Sequence, residues 1–199
     1  SLGAMVNDLG DIHVLREWPD RDTYGAWAEH GKSASEGSTW KFGSAAKKLG
    51  YDVKGYVELF REIEEELGIE VFERIGDSRF FAGENDDNVT LFDQFSLQGM
   101  DFVASSGVQE DEGLNKLDEL FWYNVNADVD EANKPIMHIN RKCGNTIYSI
   151  LNYGKNGKKD EPLKDWVDSM RYLALANAGE GIEHYDKNAF TQTTPTWGY

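Results

Sequence analysis

Helix-forming and strand-forming stretches alternate along most of this chain. The clearest helix is predicted over 52–67, where apolar residues recur on one face and Gly68 ends the pattern. Further helices are predicted over 89–98, 112–123, 145–153 and 161–175, and strands over 12–18, 69–75, 100–104 and 135–139. Because strands that alternate with helices build sheets flanked by helices, the sequence predicts an α/β domain.

The amino-acid composition excludes several other classes of protein. The 199 residues suffice for one domain with a full core, and 40% hydrophobic content with six Trp, nine Tyr and ten Phe excludes a disordered chain. No apolar run approaches the roughly 18 residues that span a bilayer. The single cysteine, Cys143, excludes an internal disulfide framework and a cysteine-based zinc site. The histidines are scattered without metal-ligand spacing, so we interpret each as structural: His13, His30, His138 and His184.

The net charge of −16 argues against a generic surface for polyanions, because phosphate contacts need lysine and arginine. Acidic residues greatly outnumber basic ones over 76–131. Lysines gather in two other places, and a bound nucleic acid would meet these groups. The candidate DNA contacts are Lys47, Lys48, Lys155, Lys158, Lys159 and Lys164.

The ends of the chain, and one long loop, are expected to lie outside the regular fold. Residues 1–5 resemble a vector remnant, so the α/β domain is predicted over 6–179, with a long loop over 20–50 and an irregular tail over 180–199. The residues at 7–11 have the chemistry of a tight turn leading into the strand 12–18. Because such a turn normally joins two strands, we infer that a partner strand is missing upstream.

Acidic residues stand at two places where an α/β fold can use them. Asp165 and Asp168 are one turn apart on the last predicted helix and can converge on one point. The alternative is a solvent-exposed acidic turn, because the helix dipole stabilises acids near a helix N-terminus. Asp77 follows the strand 69–75, at the end where open α/β sheets place ligand-binding residues. The alternative for Asp77 is a turn residue that caps its own backbone.

The order of these elements resembles a known family. A strand ending in Gly76-Asp77-Ser78, a helix containing Gly113-Leu114 and a final helix with Asp165-Trp166-Val167-Asp168-Ser169-Met170-Arg171-Tyr172 follow one another. This order is similar to that of the C-terminal nuclease domain of tailed-phage large terminase subunits, in the ribonuclease H-like superfamily. The last helix is similar to that family's Asp-x-x-Asp-(Ala/Ser)-x-Arg-Tyr ending. The resemblance covers roughly 6–175, apart from the loop over 20–50.

The resemblance implies a fold and a set of metal ligands. The fold is a ribonuclease H-like mixed sheet flanked by helices, with Asp77 and Asp168 as catalytic metal-binding acids. Asp165 is implied as an auxiliary ligand, where relatives often carry histidine. The family has another catalytic aspartate on its first strand, which we expect to be missing here. Carboxylates suit Mg²⁺ or Mn²⁺, and two such ions about 4 Å apart can activate water and stabilise a leaving oxygen.

The function implied by the resemblance is that of a hydrolase. The chain would be the metal-dependent endonuclease domain of a viral DNA-packaging terminase, cutting concatemeric double-stranded DNA in the cytoplasm of the bacterial host. Its partners would be the terminase ATPase domain, the small terminase subunit and the portal, without a membrane. The alternative is a ribonuclease H-like binding module that does not cut because the first acid is missing.

Overall fold

Helices alternate with short strands in the computed structural model, which describes residues 1–24, 52–81, 89–105, 110–155 and 161–176. The strands are β1 (Leu2–Val6), β2 (Ile12–Glu17), β3 (Ile75–Gly76), β4 (Val103–Ala104) and β5 (Met137–Ile139). The helices are α1 (Arg21–Tyr24), α2 (Val53–Leu67), α3 (Leu91–Leu97), α4 (Glu110–Phe121), α5 (Gly144–Asn152) and α6 (Glu161–Ala176), with a 3-10 turn at Ser78–Phe81. The predicted mixed α/β class is confirmed.

The described strands form two small sheets. In the first, β2 lies between β1, which is antiparallel to it, and β5, which is parallel to it. In the second, β3 and β4 are parallel. The strands predicted over 69–75 and 100–104 are too long, because only their last residues pair. Strand-forming side chains give a ladder only where a neighbouring backbone is in register, and the sequence does not carry that information locally.

The expectation of a missing partner strand before the first turn is wrong. Residues 2–6 form β1, and Leu2 pairs with Glu17 while Val6 pairs with Ile12. Asn7 holds the turn between β1 and β2, because its Oδ1 accepts hydrogen bonds from the backbone N–H groups of Leu9 at 3.0 Å and Asp11 at 2.8 Å. Most of β1 therefore comes from the residues that we expected to lie outside the fold. β1 carries no acidic side chain.

The predicted helices are confirmed, with ends that shift by up to about two residues. Local chemistry fixes several of these ends. Asp52 caps α2 by accepting a hydrogen bond from the N–H of Gly55 at 2.8 Å, and Gly68 ends it in the left-handed conformation with φ of 63°. Thr90 and Asp93 form a capping box at the start of α3. None of the described helices has the length and apolarity that crossing a membrane requires. The tail over 180–199, and the loop from 25 to 50, lie outside the described residues.

Two main apolar clusters and one minor cluster hold these elements. The larger one packs β2 and β5 against α4, α5 and α6, and its buried members are Ile12, Val14, Leu117, Leu120, Met137, Cys143, Met170 and Ala174. The smaller one lies between α2 and α3, with Val57, Phe95 and Met100 buried. Leu163 and Trp166, near the start of α6, form a further small cluster with Leu2 of β1 packed against it.

A buried carboxylate joins the first sheet to α5. Glu17 is 1% exposed, and its two oxygens accept hydrogen bonds from the backbone N–H groups of Asn145 at 2.9 Å and Thr146 at 2.8 Å. The Thr146 hydroxyl donates a third bond of 2.8 Å. These N–H groups belong to the first turn of a helix, where they have no partner within the helix and where the helix dipole favours negative charge. The carboxylate therefore fixes the start of α5 against the end of β2.

Replacing Glu17 with glutamine should lower stability. The amide group that replaces one oxygen cannot accept, so a buried N–H would lose its partner at a cost of about 2–3 kcal/mol. For a chain of this size the melting temperature should fall by roughly 4–10 °C, measured by circular dichroism. Glu62→Gln, on the exposed face of α2, is the matched control and should leave it unchanged. Equal melting temperatures for Glu17→Gln and the control would contradict this role.

Candidate functional site

Asp77 follows β3 directly, at the end where the parallel strands β3 and β4 both finish. The two segments after these strands are tied together by Ser105. Its backbone N–H donates to the carbonyl of Gly76 at 2.7 Å, and its hydroxyl accepts from the N–H of Ser78 at 3.2 Å. The backbone on either side of Asp77 is thus held in place.

The ring of Phe92 packs against the backbone next to Asp77. A Cβ atom on Gly76 would lie 2.1 Å from Cζ of Phe92, so only glycine allows this ring to approach the strand. Phe92 in turn packs against Phe81, with ring centroids 4.0 Å apart, and against Phe102, at 5.0 Å. Asp77 therefore stands on a packed base rather than on a free loop.

The last helix brings a tyrosine to this strand end and carries a second carboxylate one turn earlier. The hydroxyl of Tyr172 on α6 donates a hydrogen bond to Oδ2 of Asp77 at 3.2 Å. Asp168 lies one turn earlier on the same helix and is buried. Burial, together with the negative charges of Asp77 and Asp168, raises the pKa of Tyr172 to about 12. Both carboxylates therefore act on one phenol, which stays protonated at neutral pH.

Each of the two carboxylates is paired with a guanidinium group. Arg79 Nε lies 3.0 and 2.9 Å from the two oxygens of Asp77, and its backbone N–H donates to the same carboxylate at 2.9 Å. Arg171 Nη1 donates to Oδ1 of Asp168 in a buried pair. The hydrogen bonds from Arg79 hold the pKa of Asp77 below its usual range. The hydrogen bonds to Asp77, the charge of Asp77 and, to a smaller extent, the charge of Asp168 raise the pKa of Arg79, so both carboxylates act on this guanidinium group. We call Asp77, Asp168, Arg79, Arg171 and Tyr172 the acidic site.

Helix α4 supplies the seat for Arg171. A Cβ on Gly113 would lie 2.7 Å from Nε and 3.3 Å from Cγ of Arg171, so the arginine rests directly on the α4 backbone. Nearby, the Tyr153 hydroxyl donates to Oε1 of Glu110 at 2.6 Å. Burial and the Glu110 carboxylate raise the pKa of Tyr153, and Asp168 adds to that effect. Glu110 and Tyr153 thus border the Asp168 side of the acidic site.

Asp165, the third predicted acid, acts on the chain terminus. The side chain of Asp165 is exposed. Its charge acts on the N-terminal ammonium group of Ser1. Desolvation lowers the pKa of that group to about 6, and the charges of Glu17 and Asp165 oppose the shift. Of the predicted DNA contacts, Lys155 is exposed and Lys164 is half-buried. The other four lie outside the described residues: Lys47, Lys48, Lys158 and Lys159.

Sequence reasoning missed Arg79 of the acidic site and the two residues that border it, Glu110 and Tyr153. Arg79 follows Asp77 by two residues, a spacing that allows a local ion pair and could have suggested it. Glu110 and Tyr153 carry no such signal, because tertiary packing alone brings them to Asp168.

A different group of side chains has metal-ligand geometry. Among the described residues, three ligand atoms lie within 4.8 Å of one another only at Asp11, His13 and His138. The carboxylates of Asp77, Asp165 and Asp168 do not meet in this way. The two histidines, which we interpreted as structural, are neighbours in space although 125 positions separate them in the sequence.

The whole chain gives no significant match to a protein-family model, a curated protein or a solved structure. Family membership is therefore not assigned.

Replacing Gly113 with alanine should disturb the packing of the Arg171 side chain against α4. The new methyl group would overlap the middle of a side chain that is 6% exposed and has little room to move. Overpacking costs about 1–3 kcal/mol, which exceeds the gain of up to about 1 kcal/mol in helix propensity. Urea unfolding should show a net loss of stability, whereas Asn115→Ala, at an exposed position of the same helix, should show none. A Gly113→Ala variant as stable as the wild type would argue against this contact.

The Asp77–Arg79 pair predicts a pH dependence. Because the folded-state pKa of Asp77 is depressed, its contribution to stability is present above the unfolded pKa of about 3.9 and is lost as pH falls through the folded-state value. The difference in unfolding free energy between the wild type and Asp77→Asn should therefore be larger at pH 7 than at pH 3. Denaturant titrations at both pH values measure it, with Asp118→Asn, an exposed acid of α4, as the control. A difference that does not change with pH would contradict the pairing.

Proposed function

We propose that this chain is a metal-dependent endonuclease domain of the phage-terminase type, which hydrolyses phosphodiester bonds of double-stranded DNA. The observation that carries the proposal is the approach of α6 to the end of β3. Asp77 follows the strand, Tyr172 of the helix donates to it at 3.2 Å, and Asp168 lies one turn away. A strand-end acid facing an acid on the last helix is the arrangement that the resemblance implies.

The same approach supports a ribonuclease H-like arrangement. The β1–β2 hairpin precedes the parallel strands β3 and β4, and a late helix crosses to the strand end that carries an acid. The described sheets are small and share no strand. In a ribonuclease H-like fold they would be two parts of one larger sheet.

The donor atoms of the acidic site fit a hard divalent cation. Asp77 and Asp168 would hold Mg²⁺ or Mn²⁺, since these ions prefer carboxylate oxygens. Bound in such a site, one or two of these ions supply Lewis acidity and an activated water for the attack on phosphorus. Asp165 would assist only if its exposed side chain turns toward Asp168.

The basic groups of the acidic site have distinct roles in this proposal. Arg79 is 78% exposed, so it can leave Asp77 and pair with a phosphate of the substrate, which a guanidinium group binds in bidentate fashion. Arg171 is buried and orients Asp168. Tyr172 remains a donor at neutral pH because of its raised pKa, and it orients Asp77.

The backbone of the DNA would be held outside the acidic site. Lys155 and Lys164 flank the start of α6, and with Lys47, Lys48, Lys158 and Lys159 they are the proposed phosphate contacts. The proposed partners are the ATPase domain, the small subunit and the portal of a packaging motor, and the proposed location is the cytoplasm of the infected bacterium.

One set of observations favours a second candidate, a ribonuclease H-like binding module that does not cut. Both acids of the acidic site are already paired with guanidinium groups. β1 also supplies no carboxylate. In this reading, the Asp77–Arg79 and Asp168–Arg171 pairs are structural.

Plasmid nicking in Mn²⁺ separates the two candidates. The nuclease should nick supercoiled DNA, and Asp77→Asn or Asp168→Asn should each reduce the rate by at least about 100-fold, because removing a metal ligand costs more than removing its outer-shell support. Asp118→Asn should leave the rate unchanged, and circular dichroism should confirm that each variant is folded. Full nicking by either site variant would refute the assignment.

Divalent-ion titration gives a second, independent readout. A rise in melting temperature with Mn²⁺ that disappears in Asp77→Asn supports the nuclease, since an ion that binds only the folded chain stabilises it. No rise in the wild type, together with no nicking, supports the binding module.

A further inference from the structure

Asp11, His13 and His138 form a compact group on the first sheet, far in sequence from the acidic site. We propose that this group, the histidine cluster, binds a transition-metal ion such as Zn²⁺. Each residue offers one ligand atom, and these atoms lie within 4.8 Å of one another. Ligands of one ion at about 2 Å are spaced by no more than about 4 Å, so small rotations of the side chains suffice to close the site.

The backbone explains why these three residues meet. β2 and β5 are parallel neighbours, and their register places His13 directly beside His138. Ile12, Val14 and Met137 point into the larger apolar cluster, so the alternating residues point to the opposite face. Asp11 precedes His13 by two positions and shares its face. The imidazole rings stack with centroids 4.9 Å apart and planes at 14°.

The ligand types select the class of metal. Two imidazole nitrogens with one carboxylate oxygen suit Zn²⁺, Co²⁺ or Ni²⁺, whereas Mg²⁺ prefers oxygen ligands alone. Three protein ligands also leave a coordination position for water or a small ligand. The histidine cluster thus differs in chemistry from the acidic site, which offers oxygens only, and it does not depend on the proposed nuclease function.

The surroundings of Asp11 orient one of its oxygens. Asn7 Nδ2 and Lys134 Nζ both bind Oδ2, at 3.0 and 2.9 Å, which leaves Oδ1 to serve as the metal ligand. Ligating carboxylates commonly have a neutral outer partner such as Asn7, which fixes their direction. His13 and His138 are partly exposed, so an ion can reach the cluster from solvent.

Lys134 places a positive charge beside the proposed metal site. Its ammonium group bridges Asp11 and Glu131, at 2.9 Å from each carboxylate, and its positive charge opposes a cation at Asp11. Removing that charge should therefore strengthen metal binding. Weak binding to histidines remote from Asp11 would not respond to Lys134 in this way.

Zn²⁺ titration by isothermal calorimetry tests the site, using a chain in which Asp77→Asn and Asp168→Asn remove the acidic site. One ion should bind per chain, His138→Ala and Asp11→Asn should each weaken binding at least tenfold, and Lys134→Met should strengthen it. His184→Ala removes a histidine outside the described residues and is the control. Co²⁺ should give absorption bands of a low-coordinate site that disappear in His138→Ala. Unchanged Zn²⁺ affinity in both His138→Ala and Asp11→Asn, with circular dichroism showing folded chains, would overturn the proposal, as would the absence of stoichiometric binding.

Discussion

The packing of α6 is the constraint on which the arrangement of this domain depends. Among the described strands, the two sheets share no hydrogen bonds, yet α6 contacts β3 of one sheet and packs against Leu2 of the other. Met170 and Ala174 are fully buried in the core beneath β2 and β5, while Tyr172 reaches Asp77 at the end of β3. The rotation of α6 about its axis therefore decides which of its side chains reaches Asp77. The glycine at position 113 allows α4 to lie close enough for Arg171 to be held between the two helices.

Compensating groups accompany the buried and partly buried carboxylates described above. Asp168 is paired with Arg171, Asp77 with Arg79 and Asp11 with Lys134. Taking a carboxylate out of water is costly unless it gains a cation or several hydrogen-bond donors. Glu17 uses the second solution, with backbone N–H groups at the start of α5 in place of a cation. In a chain with a net charge of −16, the few cations that lie next to these acids decide which carboxylates are held in fixed positions.

The sequence predicts the helices of this domain well and its strand pairing poorly. Asp52 and Gly68 mark the ends of α2 through contacts within a few residues, so the signal is local. β1 was missed because its small and apolar residues resemble an added tag, and only the pairing with β2 reveals its role. A strand needs a partner whose position the local sequence does not give.

The candidate sites likewise depend on tertiary contacts that the local sequence does not give. Asp165 and Asp168 are equivalent by spacing alone, and only the orientation of α6 distinguishes them. The contact between Asp77 and Tyr172 joins residues 95 positions apart, and that between His13 and His138 follows from cross-strand register. Motif order could suggest the first of these, because Tyr172 belongs to the quoted motif. No local pattern could suggest the second.

The separation of the apolar clusters has a consequence for cooperativity. Asp77 is anchored by elements around Val57, Phe95 and Met100, whereas Asp168 belongs to the helix that completes the larger cluster. Clusters with little shared burial can open at different free energies, as distinct cooperative units. The acidic site is assembled from both units, so any partial opening that undocks one of them dismantles it. The histidine cluster lies within the first sheet alone, so an opening confined to the smaller apolar cluster dismantles the acidic site and leaves the histidine cluster intact.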